Sequence, residues 1–359
     1  MAITFDKTRS VRLVDRTLPE IVNLISNKKR LDIIYFCWLL KDIGVDVFEI
    51  DRNILYKIGK IPSGLSFLFR INEVDDVEEC VKSGIKECVI SSDVLKEANI
   101  VEMLKNNNIS ITAEFRVENI KDFKRLKRLK AGQYFNFIDK LRLDGLNMVV
   151  SSEWTEKLKS IKYFLNKDVD ICSGNKYSNG TAATLEGIME GADSVTVSFL
   201  GFGRNGGYAP LEEVLMASKI LIKPGAKADL TSFPRIAEYF TKLTGINIPN
   251  DKSIVGKDIF KYQSGIHADG IKKNSLTYEP HDPSAVGLER GLTIGKHSGG
   301  RAVQQKLKEL GLKCRMEEVG KILEFIREKS VRYRRDLFDD EIVEIFKNRN
   351  IAFDDGGWL

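Results

Sequence analysis

The sequence predicts an α/β protein: a parallel (β/α)8 TIM barrel followed by a smaller helical part. Three observations predict it. Strand-like and amphipathic helical runs alternate roughly eight times over about 220 residues, which is the count and length such a barrel needs. No Asn-Gly type hairpin turn joins one strand directly to the next, as crossover-connected parallel strands require. Beyond Lys223 the alternation stops, and helical patterns close the 359-residue chain.

In order, the first strand is read at VRLVDRTL (11–18). Leu31, Ile34, Tyr35, Trp38, Leu39 and Ile43 then fall at helical spacing within 28–43. Strands follow at DVFEI (46–50), SFLFRI (66–71), ECVISSD (87–93) and SITAEFR (110–116), with helices at 73–83 and 93–106. A basic helix at 118–131 leads to a sixth strand at LNMVVSSE (146–153) and a helix at 153–166. DVDICSGN (168–175), a helix at 179–190, SVTVSFLGFG (194–203) and a helix at 209–222 complete the alternation. Leu13, Val47, Phe69, Val89, Ile111, Val149 and Val197 are expected in the core. GFGRNGG (201–207) follows a strand but lacks the acidic partner of a dinucleotide site, so it reads as a barrel loop. Three parts are predicted: barrel 1–225, a connecting segment 226–300, and a helical subdomain 301–359. The last contains AVQQKLKELG, MEEVGKILEFIREKSV and DDEIVEIFKNR.

The 43% apolar and 30% charged composition is ordinary for a globular chain, and the net charge of +5 is dispersed. NKKR (27–30), KDFKRLKRLK (121–130) and REKSVRYRR (327–335) sit in helical patterns without aromatics placed to stack bases, so they read as solvated faces and not as a nucleic-acid site. Five scattered cysteines without CxxC spacing read as reduced thiols in a cytoplasmic protein. No apolar leader or membrane span is seen.

The chemistry concentrates between Ser264 and Gly299, which holds all three histidines, His267, His281 and His297. Histidine is the side chain best suited to act as a general base near neutral pH. His297, between Lys296 and Ser298, reads as a hydrogen-bonded polar group of a loop that contributes to stability. His267 reads as the functional one.

This window carries SGIHADGI (264–271), Tyr278-Glu279-Pro280, the Asp282-Pro283…Val286-Gly287 pattern and GKHSG (295–299), preceded by LTGINIPNDKSIVGKDIF (243–260). In this it resembles the homocitrate synthase and isopropylmalate synthase family, which condenses acetyl-CoA with a 2-oxo acid. The ending at Leu359 is closer in shape to homocitrate synthases. In the barrel the framework resembles the family at Ser91-Ser92-Asp93, Glu114-Phe115, Glu118, TLEGIMEGAD (184–193) and LEEVLMA (211–217). The chemistry does not. The family's opening motif, carrying a metal-binding Asp and a catalytic Arg, matches Asp15-Arg16-Thr17-Leu18-Pro19-Glu20-Ile21. The Asp is kept as Asp15, but Pro19 stands at the Arg. The family's two metal-binding imidazoles correspond to Cys172 and Gly174, and its Asn ligand to Tyr208. Its Asp-Thr-Val-Gly substrate loop is replaced around Val149-Val150-Ser151-Ser152.

A metal that polarises a 2-oxo acid needs three or four protein ligands and open positions. The resemblance therefore implies that this chain binds no cofactor itself and that the divalent metal lies in a partner subunit. It implies that the segment after the barrel is a lid reaching a neighbouring barrel. There His267 would deprotonate the acetyl-CoA methyl group and Tyr278 would assist. The partner implied is a homologous alpha-type subunit with an intact barrel site, and this chain resembles the omega type of split homocitrate synthases in nitrogen-fixing bacteria. Acetyl-CoA and a 2-oxo acid would be the substrates of the complex, with a role in nitrogenase cofactor biosynthesis and without nucleic acid or membrane. Two other readings are a complete synthase acting alone and a non-catalytic regulator or scaffold.

Overall fold

Eight short runs rich in Val, Ile, Leu and Phe become strands because each is covered on both faces. The computed structural model describes residues 3–4, 10–117, 130, 132, 134–146, 152–222, 225–263, 267, 270–271 and 273–354. The strands are β1 Ser10–Asp15, β2 Val47–Ile50, β3 Phe67–Ile71, β4 Glu87–Ser91, β5 Ser110–Arg116, β6 Lys140–Leu146, β7 Asp168–Ser173 and β8 Ser194–Val197. Each pairs in parallel with the next, and β8 returns to β1 through Leu13 opposite Val195 and Val14 opposite Thr196. The barrel is closed, as the sequence predicts.

Between the strands run helices Thr17–Ile21, Arg30–Asp42, Arg52–Ile58, Val74–Ser83, Ala98–Asn106, Ser152–Leu165 and Gly180–Met189, and Leu211–Leu221 follows the last strand. Their boundaries follow local chemistry. Asp51 starts Arg52–Ile58 by accepting from Ile54 N at 2.9 Å, satisfying a donor that has no partner within the helix. Gly84, at φ 78°, ends Val74–Ser83 in the left-handed conformation that glycine adopts without steric cost. Leu13, Val47, Phe69, Val89, Ile111 and Val197 are buried as expected, while Val149 lies outside the described residues.

Three readings are corrected. The sixth strand is Lys140–Leu146 rather than 146–153, and Ser152 already opens a helix. Its charged residues at alternate positions face the barrel interior, which disguises it as a polar connection. Two short helices appear: Thr17–Ile21 begins inside the stretch read as the first strand, and Arg52–Ile58 fills a stretch given no element from sequence. NKKR lies in a turn that opens into Arg30–Asp42. The basic helix expected at 118–131 falls largely outside the described residues.

The chain divides into two compact units, Met1–Ile248 with Ser253–Val255, and Pro249–Lys252 with Gly256–Leu359. In the first, helix Phe233–Thr244 follows the barrel, burying Phe233, Ile236, Phe240 and Leu243. In the second, Lys261–Tyr262 pairs in parallel with Gly291–Leu292. Helices Gly300–Glu309, Met316–Tyr333 and Asp339–Asp354 close on a core that includes Ile294, Val303, Leu307, Ile322, Ile326, Leu337 and Ile342. Lys329 pairs with Glu344 and Arg335 with Glu341, so the third basic stretch takes part in ion pairs within its own unit. Among the described residues no helix is long and apolar enough to cross a membrane.

Candidate functional site

Two groups of residues bear chemistry, one in each unit. The first lines the barrel. Register pairs Glu114 with Arg142 and Arg142 with Asp170, which puts these side chains on one face. Arg142 and Glu49 meet although β2 and β6 lie on opposite sides of the ring, so this face is the interior. Val14, Val47, Leu68 and Val89 form an apolar cluster there, and a charged layer lies beside it. Arg70 donates Nε to Glu49 at 2.7 Å and both terminal nitrogens to Glu114 at 2.9 and 2.6 Å. Arg142, fully buried, also donates Nε to Asp170 at 2.6 Å. Burial pushes the Glu49 carboxyl up, but Arg70, Arg142 and Arg16 outweigh it and hold the group well below the usual carboxylate range. Glu114 is opposed by burial in the same way and is brought down to about 2, chiefly by Arg70.

Arg16 sits at the C-terminal end of this layer. Its Nη1 lies 3.3 Å from both Asp144 Oδ1 and Cys172 Sγ, and its Nη2 lies 3.3 Å from Glu20 Oε1. The guanidinium carbon rests 4.0 Å from the centre of the Tyr208 ring, a cation–π contact. Burial pushes the Cys172 thiol up, against the pull of Arg16.

Asp15 is placed otherwise. Strand alternation turns it to the face opposite Val14, away from the interior. Its carboxylate accepts from Thr17 N at 3.1 Å and Thr17 Oγ1 at 2.7 Å, and Thr17 Oγ1 accepts from Phe199 N at 2.7 Å. Asp15 thus fastens the first βα turn to the residues after β8, and burial pushes its carboxyl up to about 7. A divalent metal does not fit these residues: Asp15 faces away, Gly174 has no side chain, and Cys172 and Tyr208 are engaged with a guanidinium. Among the described residues, no three His, Cys, Asp or Glu side chains are grouped to hold a metal ion.

The second group lies in the second unit. The His267 and Tyr278 rings are 4.5 Å apart between centroids, inclined at 41°. Both residues are exposed. Tyr278 follows a short turn, Ser275–Thr277, capped by Asn274 Oδ1 accepting from Leu276 N at 3.1 Å. The next residue, Glu279, is buried and accepts from Arg290 Nε at 2.9 Å and Nη2 at 2.8 Å. Arg290 Nη2 also reaches Asp282 Oδ2 at 3.0 Å. The Tyr-Glu-Pro and Asp-Pro motifs are therefore tied together by one arginine that sequence reasoning did not single out. Gly270 lies against the tyrosine: a Cβ there would stand 2.5 Å from Tyr278 Cε2.

His281 is a structural group, its Nδ1 lying 3.1 Å from Asp282 O and its ring edge-on to Phe260 at 5.2 Å. His297 is exposed, which does not match the stabilising loop contact read from sequence. That contact belongs to Ser298, whose Oγ accepts from Gly295 N at 3.0 Å and donates to Gln263 O at 3.1 Å. Ser264, Gly265, Ile266, Ala268, Asp269 and Lys272 lie outside the described residues.

Residues 254–333 match the family described as homocitrate synthase post-HMGL domain-like, and residues 142–239 match the HMGL-like family. The omega subunit of homocitrate synthase from Clostridium pasteurianum is 34% identical, over 98% of this chain and 99% of that protein. The chain belongs to the homocitrate synthase and isopropylmalate synthase family. A 2-isopropylmalate synthase from Caldanaerobacter subterraneus is 30% identical over 96% of this chain and 97% of its own length. Two solved structures share the fold at low identity. HMG-CoA lyase from Bacillus subtilis has a TM-score of 0.50 at 15% identity, covering 69% of this chain and 97% of that one. The carboxyl transferase domain of Rhizobium etli pyruvate carboxylase has 0.54 at 11%, covering 92% and 61%. As a homocitrate synthase-like acyltransferase family member, this chain carries Cys172, Gly174 and Tyr208 at three barrel positions and His267 and Tyr278 in the segment after the barrel.

Proposed function

We propose that this chain is a subunit of a homocitrate synthase-type acyltransferase and supplies His267 and Tyr278 to the active centre of a homologous alpha-type partner. The reaction would join acetyl-CoA and 2-oxoglutarate with water to give homocitrate and CoA, for use in nitrogenase cofactor biosynthesis. One observation carries the reading: an exposed His–Tyr ring pair at 4.5 Å stands on a framed segment, while the described residues of this chain's own barrel include no group of donors suited to a metal. The relative from Clostridium pasteurianum is named an omega subunit, which supports a division of labour between two chains.

The acetyl-CoA methyl is a weak carbon acid, and its proton needs a positioned base. A neutral His267 ring nitrogen accepts that proton. The Tyr278 hydroxyl donates to the thioester oxygen, where charge accumulates as the proton leaves. The ring contact limits the imidazole's freedom before substrate arrives, and the Glu279–Arg290 pair holds the tyrosine's backbone. The metal and the 2-oxo acid pocket are assigned to the partner.

The test is hydrogen isotope exchange into the acetyl methyl, together with kcat, in complexes of equal size. His267→Ala should lower both by about 10²–10⁴-fold, the range of a general base, and Tyr278→Phe by less. Unchanged exchange and kcat in His267→Ala would reduce the chain to a scaffold. Condensation by this chain alone would instead make it a complete synthase.

A further inference from the structure

We propose that Arg16 is the barrel's built-in cation, a guanidinium held where the family's divalent metal would stand. Of the four positions matched to the family's metal ligands, Asp15 faces away and binds Thr17, which leaves Cys172, Gly174 and Tyr208. Two of these contact Arg16 directly, the thiol at 3.3 Å from Nη1 and the ring centre at 4.0 Å from the guanidinium carbon. The bridge between Gly174 and Tyr208 brings the third position to the same place. The side chain of Arg16 is only 7% exposed, so the charge is buried and not a surface ornament.

Charge balance explains why a cation is needed there. The layer holds the guanidiniums of Arg16, Arg70 and Arg142 against the carboxyls of Glu20, Glu49, Glu114, Asp144 and Asp170. Without Arg16, two cations would face five acidic groups in a buried space, and an uncompensated buried charge is strongly unfavourable. Glu20 and Asp144 would lose hydrogen-bonding contacts, and Glu49 and Glu114 would lose a charge 4.0 Å away. Burial already pushes the Asp144 carboxyl up, the Glu114 charge adds to that, and Arg16 pulls it back. A planar fork on one chain thus does what a metal does in a working barrel, neutralising the acidic mouth, but it leaves no open coordination position. The inference concerns the barrel alone, so it stands or falls separately from the role of His267.

The experiment removes the guanidinium and returns it. Arg16→Ala should lower the unfolding midpoint of the purified chain. Guanidinium chloride below denaturing concentration should restore that midpoint, whereas tetramethylammonium chloride at equal ionic strength should not. Arg16→Lys, which keeps the charge and loses the fork, should fall between the two. If Arg16→Ala folds poorly, refolding yield in the two salts replaces the midpoint as the readout. The wild-type chain should leave the free Mn²⁺ signal in electron paramagnetic resonance undiminished. Stoichiometric Mn²⁺ uptake by wild type, an Arg16→Ala chain as stable as wild type, or equal behaviour in both salts would each overturn the proposal.

Discussion

Gly270→Ala tests the ring pair without touching either ring. The added Cβ would stand 2.5 Å from Tyr278 Cε2, whereas carbon atoms in contact settle at about 3.5–4.0 Å. The tyrosine ring must therefore retreat by about 1 Å or turn away, which opens its contact with His267. The backbone has no reason to object. Gly270 accepts from Asn274 N at 2.9 Å within a helical turn, and alanine in such a turn changes stability by only about 0.5–1 kcal/mol, in the favourable direction. Tyr278 is exposed, so its displacement opens no core cavity. A misplacement of 1 Å in a catalytic constellation can cost about 10²-fold. The expected outcome is a fall in kcat of the assembled complex of about that size, with an unfolding midpoint no lower than wild type and complex size unchanged. Wild-type kcat in a fully assembled Gly270→Ala complex would refute the reasoning, because the ring pair would then be dispensable.

Arg142→Met should destabilise the chain by about 3–5 kcal/mol, since it leaves buried Asp170 without its counter-charge and Glu49 and Glu114 with Arg70 but without their second guanidinium; denaturant unfolding of the purified chain checks this. Asp15 sets a pH dependence. Its carboxyl is raised to about 7 in the folded chain, so folding favours the protonated form, and the stability present below about pH 4 is lost as pH rises toward 7. Asp15→Asn should flatten that part of the stability curve, measured as unfolding midpoints across the same window. His297→Ala should change stability by no more than about 0.5 kcal/mol, as at other exposed positions, whereas Ser298→Ala should cost about 1–3 kcal/mol by leaving Gly295 N without its acceptor; thermal unfolding of the two variants separates them.

The alternation of apolar strands and amphipathic helices was legible because parallel strands covered on both faces need continuous runs of Val, Ile, Leu and Phe, and SITAEFR (110–116) matches its strand residue for residue. The helices after Gly299 were legible for the same reason, their apolar stripes repeating at helical spacing. The pairing of His267 with Tyr278 was legible through motif, since both lie in one short window. The barrel's charged interior was not. Glu49 and Arg70 each sit singly in an apolar strand, Glu114 and Asp170 share theirs with one charge at the strand's end, and the alternating charges of KLRLDGL (140–146), Arg142 among them, look like a solvated connection. One signal was available: charges of both signs inside five strand runs. Its meaning depends on closure, because Glu49 reaches Arg142 only when the ring places β2 and β6 across a shared interior. Arg16 was likewise visible as a residue beside Asp15, but strand alternation decides that Asp15 faces out and Arg16 lies at the mouth. The sequence therefore determined the elements and the preserved chemistry of the segment after the barrel. Only the tertiary structure decided what fills the barrel, because a buried charge is tolerated only beside partners that distant parts of the chain bring to it.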